Sequence, residues 1–566
     1  MAGGLMNLVS EGQQNIILNG NPSKTFWKAV YQKYTNFGLQ KFRVDFEGAR
    51  TLRLNEESTF TFKIPRYADL LMDCYVSVRL PNIWSPIFPP QKIANSDGSF
   101  TYTNWASYGF KWIDNLGAQM ITQIKITCGN QTLQQYSGQY LLSEAQRDLS
   151  GTKKTLFNQM IGDKLELTDP ANSGARVNSY PNAFYTTNPA GAEPSIREDT
   201  LYIPLGAWFN GKSQQAFPLV ALQYNELQIS ITFRPIFELF TIRDVLDYTN
   251  NFPYIAPNFN QYYQQFYRFL QPPPDIDLGP TSYVDTRTIW NADIHLNCTY
   301  CFLSNDEVKI FAKNEQKYLI KQVHENIFYN VTGANKIQLD SLGLVSSWMW
   351  YLQRSDANLR NQWSNYTNWP YGYIPNDLQL APTDGSYPNP DTEPAVPPLP
   401  VTLGPGLNPL GTLSGLFITG DYSMQNNKHI LIGLGILLDG QYRENIQPAY
   451  VYEYVEKYFR TSSYTLVDGL YCYNFCLNSD YYELQPSGAI NMNRFNQVEL
   501  EFTTYIPQLD PLAQVLTICD PDTGDIVGIN KPTWRIYDYN YNLVLFEERI
   551  NVVTFIGGNA GLMYAT

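Results

Sequence analysis

Hydrophobic and polar residues alternate with a period of two along much of the chain. Phe42, Val44 and Phe46 share one face against Lys41, Arg43 and Asp45, and Phe60, Phe62 and Ile64 repeat the pattern. Cys74, Val76, Val78 and Leu80 oppose Tyr75, Ser77 and Arg79; Ile124, Ile126 and Cys128 follow. Leu227, Ile229, Ile231 and Phe233 then stand against Gln228, Ser230, Thr232 and Arg234. Successive side chains of a strand point to opposite faces, so these runs predict half-buried antiparallel strands. The first set ends where Pro235 interrupts the ladder. A transition carrying Pro272, Pro273 and Pro274 follows, where the backbone is extended and lacks donors. Alternation resumes at Ile294, Leu296, Cys298, Tyr300 and Phe302, then at Tyr471, Tyr473, Phe475 and Leu477, and at Val498, Leu500 and Phe502. Two strand-rich halves predict two β domains, although no literal repeat joins them.

Three stretches break the pattern: 81–111, 151–200 and 355–410. The last holds too much Pro and Gly for a helix or a central strand, and loops of that length are functional or disordered. Short helices are expected at 140–149 and 307–322, the second turning to strand near Tyr318. The division that follows is an N-terminal arm at 1–26, a first β unit at 27–237, a transition at 238–290, and a second β unit at 291–566 with its long insertion at 355–410.

Composition adds a reason for association. Charged residues are only 16% of the 566, while aromatics reach 15% with 42 Tyr. Interface cores are depleted in charge and enriched in aromatics, so the chain suits burial against copies of itself; a large solitary β protein is the alternative. A net charge of −13 argues against coating DNA, which needs neutralising cations, and no direct sequence-specific nucleic-acid contact is expected. Lys24, Lys28, Lys33, Lys41, Arg43, Arg50 and Arg53 nevertheless gather against only Asp45 and Glu47. That cluster reads either as a contact for something anionic or as a strand edge guarded by Lys.

The best apolar run, Ile430 to Leu438, is nine residues, half of a membrane span. The N-terminus lacks a basic region ahead of an apolar core, and Ala2 rather than Gly follows Met1, so neither secretion nor N-myristoylation is expected. Seven scattered cysteines make a poor disulfide framework, and synthesis in the cytosol disfavours one. Sequons begin at Asn130, Asn297, Asn330 and Asn365, without a secretory signal to make them acceptors.

Candidate chemistry is sparse. His295, His324 and His429 are the only histidines and share no metal-binding spacing. Cys298 and Cys301 form a CxxC, but within a strand residues three apart face opposite ways. Cys472 and Cys476 share a face about 13 Å apart, too far for one ion. Glu499 and Glu501 share a strand face, which reads as solvated before it reads as a glycosidase pair. Trp348, Trp350, Trp363 and Trp369 could stack on sugars, but such residues more often fill a core or interface. No catalytic, cofactor-binding or metal-binding residue is assigned.

The opening of the chain then gains meaning. Gly3, Gly4, Leu5, Gly20, Asn21, Pro22, Thr25, Phe26, Lys28, Tyr31, Thr35, Asn36 and Phe37 precede a long all-β sequence. Arg66, Asp69 and Leu70 follow ahead of VSVRLP. The most specific block runs through Pro204, Leu205, Trp208, Phe209, Pro218, Leu219, Ala221, Leu222, Tyr224 and Glu226. FLSNDEVKIFAKNEQKYLIKQV and, later, Gln485, Pro486, Ser487, Gly488 and Arg494 extend it over nearly the whole chain. The sequence thereby resembles the major capsid proteins of nucleocytoplasmic large DNA viruses. It departs from them at Gln32-Lys33-Tyr34, where a more basic run is usual, and in its long insertions.

That resemblance implies an all-β double jelly roll, two consecutive eight-stranded units with long loop insertions and few short helices. It implies a structural protein rather than an enzyme, with no cofactor. Three copies would form a homotrimeric, pseudo-hexagonal capsomer of an icosahedral shell, assembled in the host cytoplasm and carried in the virion. Implied partners are the chain itself, neighbouring capsomers, minor capsid and penton proteins, and an inner membrane met by the basic N-terminal region. A carbohydrate-binding β-sandwich or glycosidase is the competing reading, and solution mass separates the two.

Overall fold

The computed structural model describes residues 3–48, 51–95, 97–183, 193–246, 252–274, 279–288, 290–368, 378–380, 416–418, 428–462, 467–480, 484–507, 516–519, 526–530 and 539–564. The expected alternation is realised most clearly in Leu227–Phe233, whose residues are in turn buried and half-buried. It pairs on one side with Ser58–Lys63 and on the other with Ile121–Cys128. Gln131–Tyr136 completes that four-stranded sheet. The facing sheet has the order Phe37–Val44, His295–Leu303, Leu70–Arg79, Thr200–Pro204. In chain order the first strand pairs with the eighth, the eighth with the third and the third with the sixth. The second pairs with the seventh, the seventh with the fourth and the fourth with the fifth. This is a jelly roll.

The second half repeats the plan strand for strand. One sheet runs Gln316–Phe328, Tyr541–Ile556, Leu344–Arg354, Leu470–Asn474; the other runs Ala334–Gln338, Val498–Thr504, Leu431–Leu438, Gln441–Pro448. A helix follows the fifth strand in both rolls, Gly138–Asp148 in the first and Glu456–Arg460, behind a short π turn, in the second. The duplication is thus one of topology rather than of sequence.

Strand His295–Leu303 corrects the expected division. Read as the opening of the second unit, it instead closes the first, with Phe37↔Leu303 and Val44↔Leu296 in register. Residues 238–290, read as a transition between units, are the connection from the seventh to the eighth strand inside the first roll. A small sheet of Phe110–Trp112, Phe240–Arg243 and Tyr254–Ile255 is built on that connection. The link between the rolls is the helix Asn305–Lys313, with Asp306 and Glu307 in its first turn and Lys313 in its last, complementing the dipole. The expected helix 307–322 stops there because Gln316–Phe328 pairs along all of its 13 residues with Tyr541–Ile556. The other interruptions hold local structure: small hairpins lie within 81–111, and Gly151–Ile161 is helical. Most of 355–410 falls outside the described residues; within it Leu378–Leu380 pairs in parallel with Leu416–Ile418.

The rolls lie side by side and pack into one body. One face of the strand Leu344–Arg354 puts Trp348 and Trp350 into the second roll's own core. The other face puts Met349 and Tyr351 into the core of the first. Phe546 does the same from Tyr541–Ile556, and Phe217 of the first roll meets Phe555 edge-on at 5.0 Å. The helix Gly138–Asp148 lies at this junction, capped by Ser137 and with every residue buried. A Cβ on Gly138 would stand 2.0 Å from the Ala118 carbonyl oxygen and 2.5 Å from that of Ile121. Backbone cannot yield as a side-chain tip can, so Gly138→Ala is expected to cost about 1–3 kcal/mol or more in urea unfolding.

Antiparallel pairing also sorts the loops by end. Leu70, Phe37 and Leu303 share one end of their sheet, and Arg79 exits at the other. In the second roll Gln316 lies opposite Phe555, while Arg354 lies opposite Tyr541 at the far end. The Gln223 N–H donates to the Gly558 carbonyl across the rolls at the arm end. At the other end Asn361 donates to the Phe237 and Phe240 carbonyls, each at 2.8 Å. The N-terminal segment therefore enters at one end, and the insertion beginning at 355 leaves from the opposite one.

Candidate functional site

The most concentrated polar chemistry lies at the seam between the rolls. The Arg147 guanidinium donates to Asp148 at 2.7 Å, Glu548 at 2.8 Å and Ser347 Oγ at 3.0 Å, with all three charged side chains at most 1% exposed. The Tyr140 hydroxyl donates to Glu548 at 2.8 Å, and Ser347 Oγ also donates to that carboxylate. Lys321 donates to the Ser479 carbonyl at 3.2 Å and stands 3.9 Å from Glu548. Burial alone would raise Glu548, but Arg147 and Lys321 outweigh it and hold the carboxyl at about 2. Glu144 contacts the Tyr140 hydroxyl; burial outweighs the pull of Lys321 and Arg147 and, with Glu548 and Asp148 nearby, pushes it up to about 8. One acid is therefore ionised and its neighbour protonated near neutrality. Each Glu548 oxygen is taken by a fixed donor, so the pair is built to join two rolls rather than to activate water.

Among the described residues, none of the candidates considered from sequence meets another in a reactive set. The His295 Nδ1 lies 2.7 Å from the Asp293 carbonyl, and His429 lies 3.5 Å from Glu453. Burial lowers the pKa of His324. Among the described residues no three His, Cys, Asp or Glu converge as a metal site. Cys298 lies in the large core and Cys301 in a separate small cluster with Leu70 and Ala216, the opposite faces expected of a strand. Cys472 is fully buried, its thiol pushed up to about 12 by desolvation, and Cys476 is buried as well. Glu499 pairs with Lys336 at 2.9 Å, and Glu501 accepts from the Tyr442 hydroxyl at 2.6 Å. The Trp348 indole N–H donates to Glu547 at 2.8 Å within the core. Trp363 lies under Arg234 at 3.9 Å and donates to the Glu238 carbonyl, so it roots the insertion on the first roll. Trp369 lies outside the described residues. The indoles of Trp348, Trp350 and Trp363 serve packing, not a sugar platform.

Surfaces remain. Residues 3–40 are exposed apart from half-buried Asn15, and Phe26 and Trp27 are essentially bare. Of the basic cluster, Arg43 is engaged by Asp45 and Asp293 and Arg53 by Glu56, while Arg50 lies outside the described residues. Lys24, Lys28 and Lys33 are exposed on the arm. The arm leads into Phe37–Val44, an edge strand showing Phe37 and Leu39 to solvent; Gln441–Pro448 is a second edge, showing Tyr442 and Ile446. Unpaired edges with apolar side chains are templates for association. The seam network escaped sequence reading because its members are separated by as many as 408 residues. Its one local trace is YLLSEAQRDL, whose three charges Glu144, Arg147 and Asp148 fall on one side of a helix that is buried all round.

Comparison with known proteins places both halves of the chain in one family. Residues 25–291 match the model of the major capsid protein N-terminus, and residues 307–561 match that of the large eukaryotic DNA virus major capsid protein. The major capsid protein of Phaeocystis pouchetii virus is 24% identical over 604 aligned positions, covering 100% of both chains. That of Chrysochromulina ericina virus is 29% identical, over 62% of this chain and 58% of the relative. In structure, the Faustovirus major capsid protein superposes with a TM-score of 0.58 at 14% identity, covering 96% of this chain and 94% of the other. Its likeness speaks for the fold. With both halves matched in order and the double jelly roll in place, the chain belongs to the major capsid proteins of large eukaryotic DNA viruses, structural components of the virion rather than enzymes.

Proposed function

We propose that three copies of this chain form a pseudo-hexagonal capsomer that tiles an icosahedral shell. The observation that carries this reading is the repetition of one strand order in two rolls standing side by side with like ends together. Three such chains supply six similar units around a threefold axis, so a near-hexagonal tile needs no six identical subunits. The units are the arm up to residue 36, a first roll over 37–303, the linking helix, and a second roll over 316–562. The exposed arm, with Lys24, Lys28 and Lys33, faces the particle interior and meets minor capsid proteins or anionic headgroups of an inner membrane. Penton proteins and adjacent capsomers meet the lateral faces. The insertion, leaving from the opposite end, faces outward; its residues 383–405 lie outside the described set. Assembly occurs in the host cytoplasm. No residue acts as a catalyst or holds a cofactor.

Light scattering on the purified full chain tests the assembly. A species of three times 64.8 kDa that persists on dilution is expected, with more than ~2,000 Å² buried in the trimer. Folded monomers at nanomolar concentration would contradict it. Reconstruction of intact particles reads the two placements, and an arm on the outer face would overturn that assignment.

A further inference from the structure

Two cysteines the capsid reading leaves unused face each other inside the first roll. Cys74 and Cys298 are in register on adjacent antiparallel strands, with Sγ atoms 3.3 Å apart and side chains buried in the core. The Cys74 backbone points the other way: its N–H donates to Asn210 Oδ1, and its carbonyl accepts from Leu205 N–H and Asn210 Nδ2. Cys74 and Cys298 are therefore a non-hydrogen-bonded pair, whose Cα atoms lie about 4.5 Å apart with side chains close. That separation falls within the span of disulfides. A register shift immediately after Cys298 gives the strand local freedom to adjust.

We propose that Cys74 and Cys298 form a disulfide that staples the closing strand of the first roll to its third strand, installed by exchange with a small-molecule disulfide while the chain folds. One protein thiolate attacks a sulfur of the small disulfide; that S–S bond breaks, one small thiolate leaves, and a mixed disulfide forms. The second protein thiolate attacks the protein sulfur of the mixed disulfide, forming the Sγ–Sγ bond and expelling the second small thiolate. Two protein thiols are oxidised, one small disulfide is reduced to two thiols, and the two protons pass to the departing thiolates.

Timing follows from burial. Desolvation raises the Cys74 thiol well above its ordinary range, and neither side chain is more than 2% exposed. A closed roll offers no thiolate and no entry, so exchange belongs to the stage before His295–Leu303 docks on Leu70–Arg79. The same burial shields the finished bond from reductants. The staple spans 224 positions of sequence and acts on one of the two pairings that seat the closing strand in its sheet. Cysteine number and compartment argue against a disulfide framework, but this single pair is decided by register.

The test refolds the full chain in mixtures of oxidised and reduced glutathione, with a fully reduced sample in parallel. Samples are denatured in an alkylating agent and digested without reduction, and the peptides are mapped. A linked pair of peptides carrying Cys74 and Cys298 is expected from the oxidised chain and absent from the reduced one. In the folded protein the link should resist dithiothreitol and yield to it only after unfolding. The linked protein should melt about 5 °C or more above the reduced form. Cys298→Ala and Cys74→Ala should each abolish both the link and the shift, and the mapping on the wild-type chain stands without them. An oxidised chain that folds with both thiols free, that links either cysteine elsewhere, or that folds only when reduced overturns the proposal.

Discussion

Replacing Arg147 with Ala is expected to remove about 3–5 kcal/mol of stability, the loss seen when one member of a buried ion pair is deleted. The guanidinium is wholly buried and is the shared donor to Asp148, Glu548 and Ser347. Its loss leaves two carboxylates in the seam, with Lys321, 3.9 Å from Glu548, as the remaining nearby cation. Both carboxylates are only 1% exposed, so their charge stays in the seam. Because the network ties the first roll to the second, the yield of folded assemblies should fall with stability. Arg79→Ala provides the contrast. Its pair with Glu198 is about half exposed on both sides, and such pairs contribute roughly 0–1 kcal/mol. Denaturant unfolding of the two variants side by side checks the difference. An Arg147→Ala chain as stable as Arg79→Ala would show that the seam is held by its aromatic contacts alone.

What the sequence disclosed, and what it hid, follows from the same geometry. Strands with one face in a core and one toward solvent announce themselves by alternation, as Leu227–Phe233 and Val498–Thr504 do. Leu344–Arg354 is buried on both faces, so apolar residues fill both of them and period two is lost. Tyr541–Ile556 is likewise buried through its middle, and its Glu547 and Glu548 sit where a pattern reader expects solvent. Sequence alone puts the eighth strand in the wrong half because closing a jelly roll pairs Phe42 with Cys298, a contact that no local window contains. The Pro-rich run before it reads as a boundary because proline excludes a central strand equally well in a linker and in a loop. Resemblance in the block from Pro204 to Glu226 supplied the family and the fold, which periodicity alone left at two β domains. The seam stayed hidden, since Arg147, Lys321 and Glu548 meet only after both rolls have formed.

The two glutamates of that seam also give the protein a pH dependence of defined sign. Glu144 is raised to about 8 in the folded chain from an ordinary value near 4.5. Between those values the folded state holds a proton that the unfolded chain has released. Stability from this group is complete below about pH 4.5, declines as pH rises, and is spent above about pH 8. One proton corresponds to a limiting slope of ~1.4 kcal/mol per pH unit. Glu548, held at about 2, works in the opposite window: its contribution is present above about pH 4.5 and is lost as pH falls toward 2. The pair therefore favours mildly acidic conditions and weakens the seam toward alkaline ones. Glu144→Gln keeps a neutral side chain of the same shape and removes the titration. Melting temperatures measured from pH 5 to pH 9 should fall for the wild-type chain and fall much less for Glu144→Gln, the variant gaining on the wild type as pH rises. Parallel curves for the two proteins would mean that Glu144 titrates in the seam as it does in water, and that Lys321 rather than a bound proton balances its charge.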